Sequence, residues 1–407
     1  MRILFAAAPA YGLLLPIVPL VWAARAAGHE VALATTGELT EVAARAGLPV
    51  LDVFPDRERW AALTGWGKRP DELPADAPVE VKNAARVHAP FAAFTATMTE
   101  GTIAAARSFR PDVIATTSDH PAGLLAASAL GVPALEVGNR ISWSTRDASW
   151  RNRSQPMVPE DVLVPLRQRL DLSANPPELI ARIDPRAPSM GGIPADRTEV
   201  ADAVDGRPWW GMQYVPYNGG AVLPDWVLGP IERPRVGVTL GTVVPLISGT
   251  SSLTVVIEAL ASLDVDVILA AGTADLTSLG ELPGNVRSVG YLPLSAFLPS
   301  CSLLIHHGGS GTTAAPLFYG VPQLVLPSFA DNPMSAQRVV DRGVGLAHDP
   351  GTINVGIARE LVDRLLIEPH FLDQARQVSA EIASQPTPSD IVARLADVVS
   401  LQPTPAG

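Results

Sequence analysis

The first half of the chain alternates short apolar runs with stretches that have the spacing of helices. The runs RILFAAA, HEVALAT, LPVLDV, PDVIATT and VPALEVG are separated by segments such as 14–27 and 122–130, whose apolar residues recur with helical periodicity. Strands that alternate with helices favour a mostly parallel, doubly wound sheet. A second series of the same kind begins near residue 234 with PRVGVTLG. We therefore predict two doubly wound α/β domains.

The same pattern sets the predicted domain boundaries. We assign residues 1–210 to the first domain and residues 234–375 to the second, with a connector over 211–233 that is rich in proline, glycine and aromatic residues. The tail, 376–407, has helical periodicity, and we predict that it packs back on the first domain. The stretch 55–81 interrupts the alternation with prolines and tryptophans, so we interpret it as a long irregular insert.

Composition and charge narrow the class of protein. A chain of 407 residues exceeds one ordinary core, and its 47% hydrophobic and 17% charged content is that of a globular protein. The formal net charge of −11 argues against nucleic acid or an anionic membrane as a partner. The single cysteine, Cys301, excludes an intramolecular disulfide. Pro9, Pro16 and Pro19 interrupt the apolar N-terminus, so we expect a cytoplasmic protein rather than a signal peptide or a membrane span.

The segment HHGGSGTT, residues 306–313, follows the apolar run SLLI. It lies at the carboxyl end of a predicted strand, where open α/β sheets bind ligands. Because proline is tolerated in the first turn of a helix but not in its interior, Pro316 predicts a helix that begins near Thr312. Free helical N–H groups, three glycines, the hydroxyls of Thr312 and Thr313 and the ring of His307 then form a cradle for a phosphate or diphosphate.

Other interpretations of this segment are weaker or stay open. It has neither the lysine of a P-loop nor the dinucleotide pattern G-x-G-x-x-G. Adjacent side chains diverge at the end of a strand, so His306 and His307 do not predict a metal site. A purely structural turn with capping threonines stays open.

The surroundings of this segment add a family resemblance. VGYLPLSAFLPSCSLLIHHGGSGTTAAPLFYGVPQLVLPSFADNPMSAQRVVDRGVG resembles the nucleotide-sugar signature of family 1 glycosyltransferases, and YVPYNGGAVLPDW resembles the interdomain segment of bacterial members that glycosylate antibiotics and other natural products. The resemblance implies the GT-B fold, in which two Rossmann-like domains face a cleft. It also implies an inverting enzyme with a nucleoside-diphosphate sugar as co-substrate, we expect a TDP-deoxysugar, and a hydrophobic aglycone as acceptor. It implies no other cofactor, and a homodimer and an auxiliary protein stay open as further partners.

The resemblance assigns residues of this chain to the donor. One group would bind the diphosphate: Thr242, His307, Gly309, Ser310, Gly311 and Thr312. A second group would contact the rest of the nucleotide sugar: Gly12, Tyr291, Leu292, Asp331 and Asn332. The family usually has glutamine after the acid, so the shorter Asn332 can shift the sugar preference. Tyr291 as an ordinary core residue and Asp331 as a helix N-cap stay open.

The sequence departs from the family at the general base. The family has a histidine where this chain has Leu13, after Gly12, and its supporting carboxylate falls on Thr117. Three explanations stay open. Asp119 or His120 is a relocated base, or the acceptor is an acidic phenol or an electron-rich aromatic carbon, as in C-glycosylation, or the chain is a poorly active paralogue or needs an auxiliary protein.

The acceptor pocket is expected in the first domain, facing the cleft. Four tryptophans offer apolar surface for a flat aglycone: Trp60, Trp66, Trp143 and Trp150. Two other functions stay open beside sugar transfer. A nucleotide-binding protein without catalysis would retain HHGGSGTT, and a GT-B sugar-nucleotide epimerase would need carboxylates near the sugar.

Overall fold

The computed structural model describes residues 1–64, 79–147, 158, 160–172, 176–239, 241, 251–272, 276–328 and 331–401. Their strands form two separate sheets, one before the predicted connector and one after it. Helices accompany both sheets, so the predicted α/β class is confirmed.

The first sheet has eight strands in the order β3-β2-β1-β4-β5-β6-β8-β7. Its strands are β1 (Arg2–Ala6), β2 (Glu30–Thr35), β3 (Val50–Asp52), β4 (Val113–Thr117), β5 (Ala134–Val137), β6 (Leu179–Asp184), β7 (Glu199–Ala201) and β8 (Pro208–Gly211). All neighbouring strands pair in parallel except β7 and β8, which are antiparallel. The strand order reverses between β1 and β4, and this switch point opens a crevice at their carboxyl ends.

The helices of the first domain correct one prediction. They are α1 (Tyr11–Leu14), α2 (Val18–Ala26), α3 (Leu39–Arg45), α4 (Arg57–Thr64), α5 (Val79–Phe109), α6 (Pro121–Leu130) and α7 (Glu160–Arg169). The irregular insert predicted over 55–81 is wrong for residues 57–64, which are helical because Trp60 packs on Phe94 of α5, and for residues 79–81, which begin α5. Residues 65–78 lie outside the described residues.

The second sheet has six strands in the order β11-β10-β9-β12-β13-β14, all paired in parallel. They are β9 (Arg235–Thr239), β10 (Asp266–Leu269), β11 (Val286–Ser288), β12 (Leu303–His306), β13 (Gln323–Val325) and β14 (Gly345–Ala347). The order reverses between β9 and β12, so the segment 307–309 begins at the switch point of this sheet.

The remaining helices follow the second sheet. They are α8 (Ser251–Ala261), α9 (Leu294–Phe297), α10 (Ser310–Tyr319), α11 (Asn332–Arg342), α12 (Val355–Ile367), α13 (Pro369–Ala383) and α14 (Pro388–Ser400). Helix α13 runs through the predicted boundary at 375/376. Helix α14 lies against the first domain: Ile391, Val392 and Leu395 belong to the core cluster of β1 and α2, and Arg394 donates to the Thr198 carbonyl.

Within the described ranges, no helix combines the length and the apolar character that a membrane span requires.

Candidate active site

Helix α10 begins at Ser310, two residues before the predicted start at Thr312. The prediction was wrong because the helix accepts Pro316 in its interior, at the loss of one helical hydrogen bond. Gly309 occupies the N-cap position, and no side chain caps the helix there. The amides of Ser310, Gly311 and Thr312 therefore have no acceptor within the helix. The positive end of the helix dipole therefore lies at the switch point of the second sheet, as an anion-binding helix end requires.

The ring of His307 is held between two glycines at this helix end. A methyl group at Gly309 would lie 2.4 Å from Nε2 of His307, and one at Gly241 would lie 2.5 Å from Cε1. Gly241 has a φ of +69°, in the left-handed region that favours glycine. Larger residues at either position would displace the ring, so both glycines fix it beside the first turn of α10.

His307 is a neutral ring with an unused nitrogen. Burial lowers its pKa to about 4, against the opposing effects of the nearby Asp331 carboxylate and a hydrogen bond with the Thr239 backbone. Its Nδ1 is buried and has no hydrogen-bond partner within the part of the chain that the structure describes. A buried nitrogen without a partner costs free energy, which a bound ligand can recover.

His306 has a different role from its neighbour. The amide of Gly308 donates to its Nδ1 at 3.1 Å, so Nε2 carries the hydrogen and pairs with Oε1 of Gln323 at 2.8 Å. Burial lowers the pKa of His306 to about 3. The ring centroids of His306 and His307 are 6.4 Å apart with an interplanar angle of 90°. Among the described residues, no three His, Cys, Asp or Glu side chains cluster as metal ligands would.

The two residues expected to contact the nucleobase of the donor lie beside the connector. Tyr291 is 50% exposed and donates a hydrogen bond to the Asn218 carbonyl, so it is not an ordinary core residue. Leu292 is buried with Val227 and Phe297. An exposed aromatic face next to a buried backbone is a suitable surface for a nucleobase.

Asn332 is the first residue of helix α11, and Asp331, at the N-cap position, faces the first domain. Its side chain does not cap the helix. Instead, Oδ2 accepts hydrogen bonds from Nη1 of Arg140 at 3.0 Å and from the hydroxyl of Ser142 at 2.7 Å. Asn332 is buried, and its Nδ2 has no partner among the described residues.

The switch point of the first sheet has no titratable group at the two positions of the family dyad. Leu13 is 5% exposed and belongs to an apolar cluster with Trp60, Phe94 and Met98. Thr117 is buried, and its hydroxyl has no partner within the described residues. A methyl group at Gly12 would meet no atom within 4 Å, so this position is open.

The two candidate bases, Asp119 and His120, differ in their surroundings. The carboxylate of Asp119 accepts a hydrogen bond from Nε of Arg140 at 2.8 Å and is almost fully buried. His120 precedes α6 and is 1% exposed, and neither ring nitrogen has a partner among the described residues. Burial lowers the pKa of His120 to about 4, so its ring is neutral at pH 7.

The tryptophans expected to bind the acceptor are buried where they are described. Trp60 stacks on Phe94 with ring centroids 5.4 Å apart at 11°. Trp143 is 4% exposed and lies under the Arg140 guanidinium, 5.2 Å from ring centroid to Cζ. Their contact with an acceptor stays a prediction. Trp66 and Trp150, with Thr242 of the donor group, lie outside the described residues.

Sequence reasoning missed a segment of the first domain that forms hydrogen bonds with the second domain at this site. Arg140, Ile141 and Ser142 follow β5 in the first domain, and all three donate hydrogen bonds to the second domain. The Ile141 amide donates to the Ser310 hydroxyl at 2.7 Å. The only signal was a lone arginine after a buried strand, and its partners are distant in sequence.

Comparison with known proteins places the whole chain. The N-terminal domain model of the family described as erythromycin biosynthesis protein CIII-like matches residues 22–241, and the C-terminal domain model matches residues 254–398. The elloramycin glycosyltransferase ElmGT of Streptomyces olivaceus is 38% identical over 412 residues, which cover 99% of this chain and 99% of that protein.

Solved structures agree with these sequence matches. The glycosyltransferase SnogD from Streptomyces nogalater has a TM-score of 0.78 and 32% identity, covering 98% of this chain and 99% of that one. The glycosyltransferase SsfS6 of Streptomyces sp. SF2575, complexed with thymidine diphosphate, has a TM-score of 0.75 and 29% identity, with coverage of 98% and 99%. The chain therefore belongs to the erythromycin biosynthesis protein CIII-like family and is a GT-B natural-product glycosyltransferase.

Proposed function

We propose that this enzyme transfers a deoxysugar from a thymidine diphosphate donor to a hydrophobic natural-product aglycone, with inversion at the anomeric carbon. The observation that carries the proposal is the ring of His307, fixed between Gly241 and Gly309 at the N-terminal end of helix α10. The thymidine diphosphate bound to SsfS6 supports thymine as the nucleobase of the donor. We propose no cofactor beyond the donor.

The chemistry follows from the charge of the leaving group. As the bond from the anomeric carbon to the donor phosphate breaks, the electron pair stays with the diphosphate, which gains negative charge. The amides at the start of α10 would stabilise that charge in the transition state, together with Nδ1–H of neutral His307 in the tautomer that carries its hydrogen on Nδ1. The acceptor atom forms its bond to the opposite face of the anomeric carbon in the same step, which inverts the configuration.

The proton of the acceptor needs a base that neither Leu13 nor Thr117 can provide. Of the two relocated candidates, Asp119 already pairs with Arg140, whereas both ring nitrogens of His120 have no partner among the described residues. We therefore propose His120 as the proton acceptor. A phenol, with a pKa of about 10, would need less help than an alcohol, and an aromatic carbon nucleophile would give a C-glycoside.

A transfer assay tests this proposal. The enzyme is incubated with TDP- and UDP-linked deoxysugars and a phenolic polycyclic aglycone, and the products are examined by NMR. We expect a glycoside from the TDP donor with the anomeric configuration opposite to that of the donor. Retention of configuration would contradict the inverting mechanism. A preference for the UDP donor would contradict thymine as the nucleobase of the donor.

The same assay separates the two other functions. A nucleotide-binding protein without catalysis would bind thymidine diphosphate but form neither glycoside nor free sugar. An epimerase would return an altered sugar nucleotide or sugar in the absence of any aglycone. Either result would replace the proposed transfer reaction.

A further inference from the structure

The acid expected to hold the donor sugar is shared with the opposite domain. Nη1 of Arg140 and the hydroxyl of Ser142 both donate to Oδ2 of Asp331, at 3.0 and 2.7 Å. No hydrogen bond within the described residues reaches the other oxygen, Oδ1. One half of this carboxylate is therefore saturated by protein donors, and the other half is available to a ligand.

Arg140 is itself held in a fixed position. Its Nε donates to Asp119 at 2.8 Å, and its guanidinium lies over the rings of Phe91 and Trp143, with Cζ 5.9 and 5.2 Å from their centroids. The side chains of Arg140 and Asp119 are 13% and 2% exposed. A planar guanidinium that bridges two carboxylates and contacts two aromatic rings has little freedom to move aside.

Neighbouring contacts bring the same segment to the diphosphate cradle. The Ile141 amide donates to Oγ of Ser310, the first residue of α10, at 2.7 Å. Nε of Arg338, from α11, donates to the Ser142 carbonyl. The segment 140–142 is thus attached to both ends of the expected donor site, at the phosphate through Ser310 and at the sugar through Asp331.

We propose that Arg140 and Ser142 are positioning residues that occupy Oδ2 of Asp331, so that the donor sugar is recognised through a single hydroxyl on Oδ1. A carboxylate with both oxygens available accepts hydrogen bonds from two neighbouring sugar hydroxyls. Here a second hydroxyl would be buried against an oxygen that already has two donors, and an unpaired buried hydroxyl is unfavourable. The site therefore selects a sugar that lacks one hydroxyl of the neighbouring pair, which is a deoxysugar.

The remaining polar group at this position agrees with one hydroxyl. Nδ2 of Asn332 is buried without a partner among the described residues. One donor, Asn332 Nδ2, and one acceptor, Asp331 Oδ1, are what a single hydroxyl needs, because a hydroxyl both donates and accepts. This inference rests on the proposed function, since it takes Asp331 as the sugar-binding acid.

The test compares donor binding by wild type and Ser142→Ala. Calorimetric titration with TDP-glucose and with its 3-deoxy and 4-deoxy analogues measures the ratio of their affinities. We expect wild type to bind at least one deoxy analogue about tenfold more tightly than TDP-glucose. Ser142→Ala returns a position on Oδ2 to the ligand, so the difference should fall to threefold or less.

Two further variants separate positioning from general stability. Ser142→Thr keeps the hydroxyl and should restore the wild-type ratio. Ser189→Ala removes another hydroxyl at the domain interface, the acceptor for Nε of Arg342 at 2.7 Å, without touching Asp331, and should keep the wild-type ratio. A structural effect of Ser142→Ala would weaken all three donors equally and leave the ratio unchanged.

The outcomes distinguish this inference from the proposed function. An unchanged ratio in Ser142→Ala, or a wild type that binds neither analogue more tightly than TDP-glucose, would overturn the single-hydroxyl site while thymidine diphosphate still binds. If wild type binds neither thymidine diphosphate nor any of the three donors, the proposed function fails, and this inference fails with it.

Discussion

The switch points of the two sheets occupy equivalent places in their domains but hold opposite kinds of residue. In the second domain, the crevice between β9 and β12 holds the first amides of α10, which have no acceptor within the helix, and the neutral ring of His307. In the first domain, the crevice between β1 and β4 holds Leu13 within an apolar cluster, and Asp119 is engaged by Arg140. One crevice is equipped for an anion, and the other lacks the family's base at its usual place.

This difference reflects two chemical requirements: one is common to all nucleoside-diphosphate donors, and the other varies with the acceptor. Every nucleoside-diphosphate donor releases the same anionic leaving group, so the means of stabilising it are local and recognisable. The help that an acceptor needs depends on the acidity of its own nucleophile. The first domain can therefore have non-titratable residues, Leu13 and Thr117, at the two positions of the family dyad when the acceptor is a phenol or an aromatic carbon.

The largest expected effect comes from His120. We expect His120→Gln to lower kcat by about 100-fold or more, since general base catalysis contributes roughly 10²–10⁴. Because the base must be neutral, wild-type kcat should fall only as the pH approaches the lowered pKa of about 4. Steady-state kinetics across pH would check both points, with the exposed His370→Gln as control. A kcat within threefold of wild type in His120→Gln would favour an acceptor that needs no base.

His307 gives the next largest effect, on the other side of the comparison. We expect His307→Ala to lower kcat/KM for the donor by about 100-fold, comparable to the loss of one transition-state donor. Donor hydrolysis in the absence of acceptor measures this without any contribution from the acceptor site. If His306→Asn lowered kcat/KM for the donor by about 100-fold and His307→Ala left it unchanged, the roles assigned to the two histidines would be reversed.

How far the sequence predicts this molecule depends on the distance between interacting residues. The run SLLI predicted a buried strand and HHGGSGTT a cradle, because strand, glycines and helix start are adjacent in the chain. The start of α10 was misplaced because the helix tolerates Pro316 in its interior. Arg140 was missed because its partners Asp119 and Asp331 lie 21 and 191 residues away, and no local pattern reports such contacts.

A smaller effect concerns stability in acid. Burial lowers the pKa values of His120, His306 and His307 to about 4, 3 and 4, so the unfolded chain binds more protons than the folded one below pH 6.5. The contribution of the neutral rings to the free energy of unfolding is therefore fully present above pH 6.5, and it decreases as the pH falls towards 4. Glu136, with its pKa raised to about 6 by burial, opposes this between pH 6 and 4.5.

Thermal unfolding at pH 7 and pH 4.5 measures this dependence. We expect a lower midpoint at pH 4.5 and a smaller difference in His120→Gln, which removes one of the three titrating rings. An identical difference in wild type and His120→Gln would mean that the ring of His120 is not buried as described.

The central claim is that His307, fixed between two glycines, holds the donor diphosphate, and calorimetric binding of thymidine diphosphate to Gly309→Ala tests it most directly. The backbone at Gly309 has a φ of −58°, which alanine accepts, so the added methyl acts only by displacing the His307 ring. Gly284→Ala, where a methyl meets no atom within 4 Å, is the matched control. We predict affinity about tenfold weaker in Gly309→Ala and unchanged in Gly284→Ala. Equal affinity in Gly309→Ala and wild type would contradict the assignment of His307 to the diphosphate.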